Sequence, residues 1–547
     1  MANKLNAYEI TSFRGGISDW EDKGPSGSFK NGWSLDIRKR VDSLSCNQAL
    51  MDIGVILQSV SASRSPSSSY SPSASVSSSI SNSISPSSSP SPSRASVSSS
   101  YSPSASGSPS SSFSPSASTS PSHSTSPSPS SASGLRLFKD LILFFVKCTD
   151  GATYGFGDQG KVYKINEDFS VFLVYDLHKK ITGAMEEPDE NGNTYLYFAD
   201  STSLHRKQIP GRADWNDVDE AGSNYPKTNL NNTAWHTMVQ ASGALHIANR
   251  NCLAMIGYDG SYTNETVDLI PGNVAKTLVE RNGRVIIGTH KTADVDNGVN
   301  AALDTEVPLA QIGDDGEVYF ANMVDQLPAK RFPGGGKCYP GGVTAEITGI
   351  NFFEWEQDAL SWISKKEVRS LALFGVFSAD AGYNGIYSYG RRIKNHPFVM
   401  NCEYALEVDE IGALENVNGI LYVSYRDGAD YGVKVKDMTT KATAIYEGTD
   451  YKSPLKLPEK PTYWPYVELE MAPLPSGASV EFWYRMNKNG SFVRARTTDN
   501  KESYAIPNGK IASFSVGAPG NIYEARVVLN PINNSSPEVF KIRSYFM

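Results

Sequence analysis

The sequence predicts an all-β protein: a β-propeller with a C-terminal antiparallel β-sandwich and an inserted Ser/Pro-rich extended segment. Three observations carry this reading. Asx-Gly turns recur between β-branched and aromatic runs through the middle of the chain. Helical spacing is scarce, with EQDALSWISKKEVRS (356–370) the best candidate. The C-terminal block alternates apolar and polar residues with the two-residue period of a half-buried strand.

Four segments follow from composition: an opening segment with the first propeller strands (1–58), a Ser/Pro-rich insertion (59–133), the hairpin-rich propeller (134–457) and the sandwich (458–547). At 547 residues the chain can bury several cores, and 28 tyrosines, 22 phenylalanines and 45 glycines suit short strands joined by turns. The net charge of −8 argues against nucleic acid as the main ligand, although Arg38, Lys39 and Arg40 form a local basic patch. The cysteines (Cys46, Cys148, Cys252, Cys338, Cys402) are odd in number and lack CxxC spacing, so buried free thiols are expected rather than zinc or disulfides. The N-terminus MANKLNAYEITSF lacks an apolar leader, and the longest apolar run, Leu141 to Val146, is too short to span a bilayer. Folding in a cytoplasm is the expectation.

Within 134–457, strong hairpin signals stand at Asp150-Gly151, Asp259-Gly260, Asn282-Gly283, Asp315-Gly316, Asn384-Gly385, Asn418-Gly419 and Asp427-Gly428. Both central residues of a type I′ turn need positive φ, which Asx and Gly tolerate. A Gly-x-Val-Tyr phrase recurs at Asp315–Tyr319, Gly160–Tyr163 and, as Gly-Ile-Tyr, at Gly385–Tyr387. It reads as an inner blade strand leaving a turn, its aromatic packed between blades, and it favours a propeller over sandwiches in series. In the last segment Val467, Leu469 and Met471 share one face, as do Val480, Phe482 and Tyr484, with turns at Pro475-Ser476-Gly477 and Asn489-Gly490.

The insertion has a phase. Every odd position from Ser59 to Ser93 is serine; after Arg94-Ala95 every even position from Ser96 to Ser130 is, and all prolines fall in the other phase. An extended strand with this period would carry its prolines on one edge and pair through the other. The same composition cannot bury a core and equally describes a solvated linker, in which repeat expansion preserves the phase.

Catalytic signatures are scarce. No Walker loop, HExxH or G-x-S-x-G occurs. The GxGxxG at Gly155, Gly157 and Gly160 precedes the strand-like KVYKI rather than a helix, and Gly334 to Lys337 lacks the spacing of a phosphate loop. Asp294 to Gly298 lacks the twelfth-position glutamate of a calcium loop, and His236 and His246 read as strand residues. The acidic runs 186–190 and 217–220 read as solvated loops; Asp189, Asp217 and Asp219 are the carboxylates on which a propeller glycosidase would draw. No catalytic, cofactor-binding or metal-binding residue is expected, and no enzymatic activity.

The opening stretch is the most specific part. Phe13, Gly15, Gly16, Ile17 and Ser18, then Asn31-Gly32-Trp33-Ser34 and Arg38-Lys39-Arg40, resemble the opening of tail nozzle proteins (tail tubular protein B type) of short-tailed bacteriophages. Gly15-Gly16 permits close backbone approach, and Trp33 and Ile37 can anchor a strand. Leu474-Pro475, Ser479 to Tyr484 and Ser536-Pro537-Glu538 resemble the small β-domains that end such proteins. Nozzle proteins are usually longer, and the serine-phased insertion is a departure from them. The resemblance implies an assembly motif of Phe13, Gly15, Gly16, Asn31, Trp33 and Arg38. It implies a structural virion component, a tail nozzle or hub ring protein contributing to the DNA channel, assembled in the host cytoplasm. Its partners would be other phage tail proteins, copies of itself in a hexameric ring, and phage DNA passing without sequence-specific binding; contact with the host surface is compatible with it. The alternatives are a host-receptor-binding tail-tip or adhesin protein and, third, a glycan-degrading propeller enzyme.

Overall fold

A computed structural model describes residues 5–18, 27–37, 42–54, 138–218, 229–269, 271–281, 284–291, 307–308, 310–312, 318–320, 337–347, 370–377, 381–390, 399–453 and 461–547. The insertion 59–133, the helix candidate up to residue 369, Arg38, Asp219, Asp294 to Gly298 and the turns at Asn282-Gly283 and Asp315-Gly316 lie outside these residues.

Six antiparallel sheets follow one another along the described part of the propeller, with two shorter pairings, Val307–Pro308 on Lys337–Cys338 and Ala310–Ile312 on Val318–Phe320, between the fourth and fifth. The first orders Ile142–Lys147, Thr153–Gly157, Lys161–Ile165 and Val171–Asp176; the second orders Gly183–Pro188, Thr194–Ala199 and Leu204–Ile209. The third orders Met238–Ala241, Ala244–Asn249, Cys252–Gly257 and Tyr262–Asp268. The fourth pairs Asn273–Arg281 with Arg284–Lys291, which touches Val318–Phe320 of a further short hairpin. The fifth orders Val343–Ile347, Ser370–Val376, Gly385–Gly390 and Val399–Ala405. The sixth orders Glu410–Val417, Ile420–Asp427 and Asp430–Lys441, and takes its fourth strand, Gln48–Ile53, from the N-terminal segment. First strands touch in succession: Ile142–Lys147 meets Gly183–Pro188, then Met238–Ala241, then Asn273–Arg281, while Val343–Ile347 meets Glu410–Val417, which returns to Ile142–Lys147. This is a β-propeller. Blades packed on both faces explain why a first strand such as ILFFVK is buried almost throughout instead of alternating.

The type I′ pattern is met at one described Asx-Gly turn; at Asp150-Gly151, Asp259-Gly260 and Asp427-Gly428 the hairpin forms with only the glycine at positive φ. Asn418 and Gly419 have φ of 53° and 83°, the type I′ pattern, and Ser242-Gly243 (52°, 75°) does the same work without an Asx residue. Asn384-Gly385 differs. A 3₁₀ turn, Ala381–Tyr383, leads into it, and Asn384 is buried with its Nδ2 donating to Val408 O at 2.6 Å. The Gly-x-Val-Tyr phrase also differs from expectation, because Tyr163 and Tyr387 sit on the third strand of their blades, not the inner one. Neighbouring blades diverge from the axis outwards, and the wider gap at the third strand accepts a tyrosine ring. Gly155 and Gly157 belong to the strand Thr153–Gly157 and Gly160 to the turn that follows it, at φ 92°.

The sandwich has one sheet of Asn6–Ile10, Val539–Phe546, Tyr463–Met471, Ile511–Pro519 and Arg496–Thr497. Its other sheet is Asn31–Trp33, Ala444–Glu447, Ile522–Asn530, Ser479–Met486 and Val493–Arg494, with Tyr451–Lys452 also on Ile522–Asn530. Val467, Leu469, Met471, Val480 and Phe482 are buried between the sheets, and Trp464 stacks on Tyr523 at 4.3 Å. Strand pairing crosses the boundaries drawn at residues 58 and 457. The opening segment gives one strand to each sandwich sheet and one to the sixth blade, and Ala444–Glu447 and Tyr451–Lys452 belong to the sandwich. Pairings this distant in sequence leave no local signal. All five cysteines are buried and free.

Candidate functional site

The opening segment works as a clamp between the fifth blade and the sandwich. Phe13 is fully buried and meets Tyr446 edge-on at 5.4 Å. Gly15 N donates to Gly27 O at 3.2 Å, and Phe29 N to Gly16 O at 2.9 Å, so the segment folds back on itself. Ile17 N donates to Met400 O at 2.8 Å, tying it to Val399–Ala405 of the fifth blade. Gly16 has φ 67°, and a Cβ there would lie 2.5 Å from Met400 O and 2.6 Å from Val399 Cβ. Only glycine fits both the conformation and the approach.

The return strand engages the other module. Asn31 Nδ2 donates to Glu447 Oε2 at 2.6 Å, and Glu447 also accepts from Arg526 Nε at 2.7 Å. Trp33 Nε1 donates to Gly382 O at 3.1 Å, its ring 6.4 Å from that of Tyr383. Thus Phe13, Gly15, Gly16, Asn31 and Trp33 converge on one junction, and each of these contacts is within the chain.

Beneath the clamp lies a buried polar cluster that sequence reasoning missed. Glu403 accepts from Asn47 Nδ2 and Ser388 Oγ, each at 2.6 Å, and from Asn401 Nδ2 at 3.1 Å. Asn401 Nδ2 also lies 2.7 Å from Leu35 O. The donors satisfy a carboxylate that would otherwise be costly to bury. The available signal was the polar letters of VMNCEYA inside a strand that is buried almost throughout.

A second polar knot joins blades two and three. Thr182 Oγ1 lies 2.9 Å from His236 Nδ1, and His236 Nε2 is 3.0 Å from Asn231 O. Burial pushes the His236 imidazole down to about 4. Burial also opposes ionisation of the neighbouring Asp200, but the Thr202 N–H and the Lys179 ammonium outweigh it and hold the acid at about 2. Hydroxyl, imidazole and carboxylate are the components of a nucleophilic triad, yet Thr182 and His236 are sealed in the core at 1% and 0% exposure. His236 precedes the strand Met238–Ala241 instead of lying in it, its ring bonded to Thr182 and Asn231; His246 is in a strand.

The carboxylates of the glycosidase alternative have local work. Asp189 accepts from the backbone N–H groups of Asn191 and Asn193 at 2.9 and 2.8 Å, capping its turn. Asp217 lies 2.8 Å from the buried Lys207 ammonium. A cavity of about 490 Å³ opens beside the clamp, lined by Leu50, Asp52, Tyr404, Glu407, Tyr425 and Lys434. There Asp52 accepts from the Tyr425 hydroxyl at 2.7 Å and pairs with Lys434 at 2.8 Å, so its charge is internally matched. Among the described residues no group of three or more His, Cys, Asp or Glu is placed to hold a metal, and no helix is long and apolar enough to cross a membrane.

No known protein-family profile matches the chain, and no curated protein matches it. Similar solved structures include the extracellular domain of a one-component system from B. thetaiotaomicron (TM-score 0.32, 10% identity, 68% of this chain). This chain spans about half of that one, 47% of its length. BamB from Moraxella catarrhalis gives a TM-score of 0.29 at 10% identity, covering 55% of this chain and 99% of that one. The exo-β-1,3-galactanase from Phanerochaete chrysosporium gives 0.23 at 8% identity, covering 76% and 97%. At such scores these likenesses add nothing on function. By its own strand order the chain is a propeller joined to a sandwich through an N-terminal clamp.

Proposed function

We propose that this chain is a structural subunit of a bacteriophage tail, a nozzle or hub ring protein that contributes to the DNA channel and has no enzymatic activity of its own. One observation carries the reading: the stretch that resembles nozzle proteins is the stretch that clamps propeller to sandwich, through Phe13, Gly16, Asn31 and Trp33. A resemblance concentrated in a joint speaks for a shared way of holding two modules together. The net charge of −8 suits a wall past which DNA slides, since like charges repel. The subunit would sit in the virion tail as a homo-oligomeric ring of six against other tail proteins, after assembly in the host cytoplasm.

A host-receptor-binding tail-tip or adhesin protein is the second reading; Ile53 pairs with Val433 and Phe138 bridges to Tyr431, so the described residues on either side of 55–137 meet one strand of the sixth blade. Imaging of purified phage particles labelled on this protein tests both. Label on the tail axis as a ring supports the nozzle or hub; label at the distal tip supports attachment; absence from particles overturns both.

A further inference from the structure

Blades two and three are tied by backbone hydrogen bonds beyond both ends of the strand Gly183–Pro188: His236 N to Thr182 O at 2.8 Å, and Glu190 N to Tyr258 O at 2.9 Å. Between these ties lies Glu187, 3% exposed, with no hydrogen bond to either carboxylate oxygen. Strand register sets Glu187 opposite Tyr195 and Met185 opposite Tyr197. The carboxylate therefore shares the face on which Met185, Tyr195 and Tyr197 pack against Met238, Leu245 and Ile247 of the third blade.

Among the described residues the groups facing it offer no counter-charge. Arg206, opposite Tyr197, lies over the Tyr195 ring at 4.5 Å and bonds the Tyr197 hydroxyl. From the third blade, Met238–Ala241 offers the neutral amide of Gln240, and Cys252–Gly257 offers Ala254 and Ile256. His246 alternates away from Leu245 and Ile247, onto the opposite face. Glu186, the adjacent carboxylate, turns to the first blade and accepts from Thr149 N at 2.8 Å. Burial holds the Tyr197 phenol above the ordinary tyrosine range. Among the described residues an ionised carboxylate in this seam meets no cation and only the neutral Gln240 amide as a donor, and such surroundings favour the neutral acid. Burial pushes Glu187 up to about 7, with the Gln240 amide offsetting part of that.

We propose that Glu187 is a proton-operated latch on the seam between the second and third blades: neutral, it stays sealed among the tyrosines; ionised, it is drawn to water and the seam opens. The ligand is the proton, and the output is exposure of the Tyr195–Tyr197 face.

Hydrogen exchange of the full chain at pH 6 and pH 8.5, corrected for intrinsic rates, reads the latch at the amides of Glu190 and His236. Protection in the unmodified protein falls by up to about thirtyfold at pH 8.5, the ratio of ionised to neutral acid for a group near 7. Glu187→Gln and the apolar Glu187→Leu each keep protection at both pH values, so either variant suffices if the other does not fold. Glu415→Gln, which alters a half-buried carboxylate also raised to about 7, in the sixth blade, leaves the effect intact. The latch is refuted if the Glu187 variants lose protection as the unmodified protein does, if the loss is uniform over all blades, or if Glu415→Gln abolishes it.

Discussion

Replacing Gly16 by alanine is the sharpest probe of the clamp, because two separable costs meet there. Its φ of 67° lies in the left-handed region, where a Cβ costs about 1–2 kcal/mol. The same Cβ would lie 2.5 Å from Met400 O and 2.6 Å from Val399 Cβ, backbone and strand atoms that cannot swing aside. Forcing such a contact costs about 1–3 kcal/mol, giving about 2–5 kcal/mol in all. Gly243→Ala supplies the control. Its φ is 75° and a Cβ there would meet nothing within 4 Å, so it bears the conformational cost alone. Urea unfolding followed by tryptophan fluorescence, with Trp33 reporting from the clamp, compares the two. Gly16→Ala should be the more destabilising by about 1–3 kcal/mol. Equal losses would mean that the fifth blade does not hold the opening segment as described, and the clamp would be wrong.

Three further outcomes are expected. Glu447→Ala strands the Asn31 amide and the Arg526 guanidinium; because Arg526 is partly exposed, the loss should fall at the low end of about 3–5 kcal/mol, read by thermal unfolding. Replacing residues 59–133 by a linker of roughly ten residues should leave the propeller intact and raise stability by up to about 2 kcal/mol through the shorter loop, whereas a collapse in Tm would show that the insertion supports the fold. Thermal stability should fall from pH 5 to pH 8. Asp140 (about 6), Glu187 and Glu415 (about 7) are raised by burial, so the stability they contribute is complete below the ordinary carboxylate range and lost as pH rises through 6–7. His236 and Asp200 have lowered values and act oppositely, losing stability as pH falls towards 4 and 2, so a Tm that rises steadily to pH 8 would contradict the burial of the three acids.

What the sequence revealed was local. The turn at Asn418-Gly419 announces itself because both of its residues need positive φ, the Asp-Gly dipeptides mark hairpins without fixing their turn type, and the faces of Tyr463–Met471 and Ser479–Met486 follow from strict alternation. Ser242-Gly243 escaped because serine at φ 52° carries no Asx signature. The clamp's residues were legible, but its wiring was not. Asn31 and Glu447 are far apart in the chain, and a buried glutamate looks like any other until its donors are found. Glu403 is similar, since Asn47, Ser388 and Asn401 come from three separate stretches. His236 was misplaced because a histidine amid apolar letters has the pattern of a strand, while its burial is set by Thr182 on another blade.

The way the sixth blade is completed accounts for the clamp. The sixth blade is completed only when Gln48–Ile53 finds Asp430–Lys441, a contact spanning roughly 380 residues, and closing a loop of that length costs about 5 kcal/mol beyond its constant term. Six residues of edge-strand pairing are a modest return for that cost. The opening segment adds others: Asn6–Ile10 on Val539–Phe546, Asn31–Trp33 on Ala444–Glu447, Phe13 against Tyr446, and the Ile17 bond to Met400. These attachments reach the fifth blade, both sandwich sheets and the sixth blade, so no one of them is released without straining the next. A glycine pair, a buried asparagine and a buried phenylalanine are what such a joint requires. The opening stretch therefore carries a more specific pattern than any blade, because each blade can be built from many apolar sequences and the joint from few.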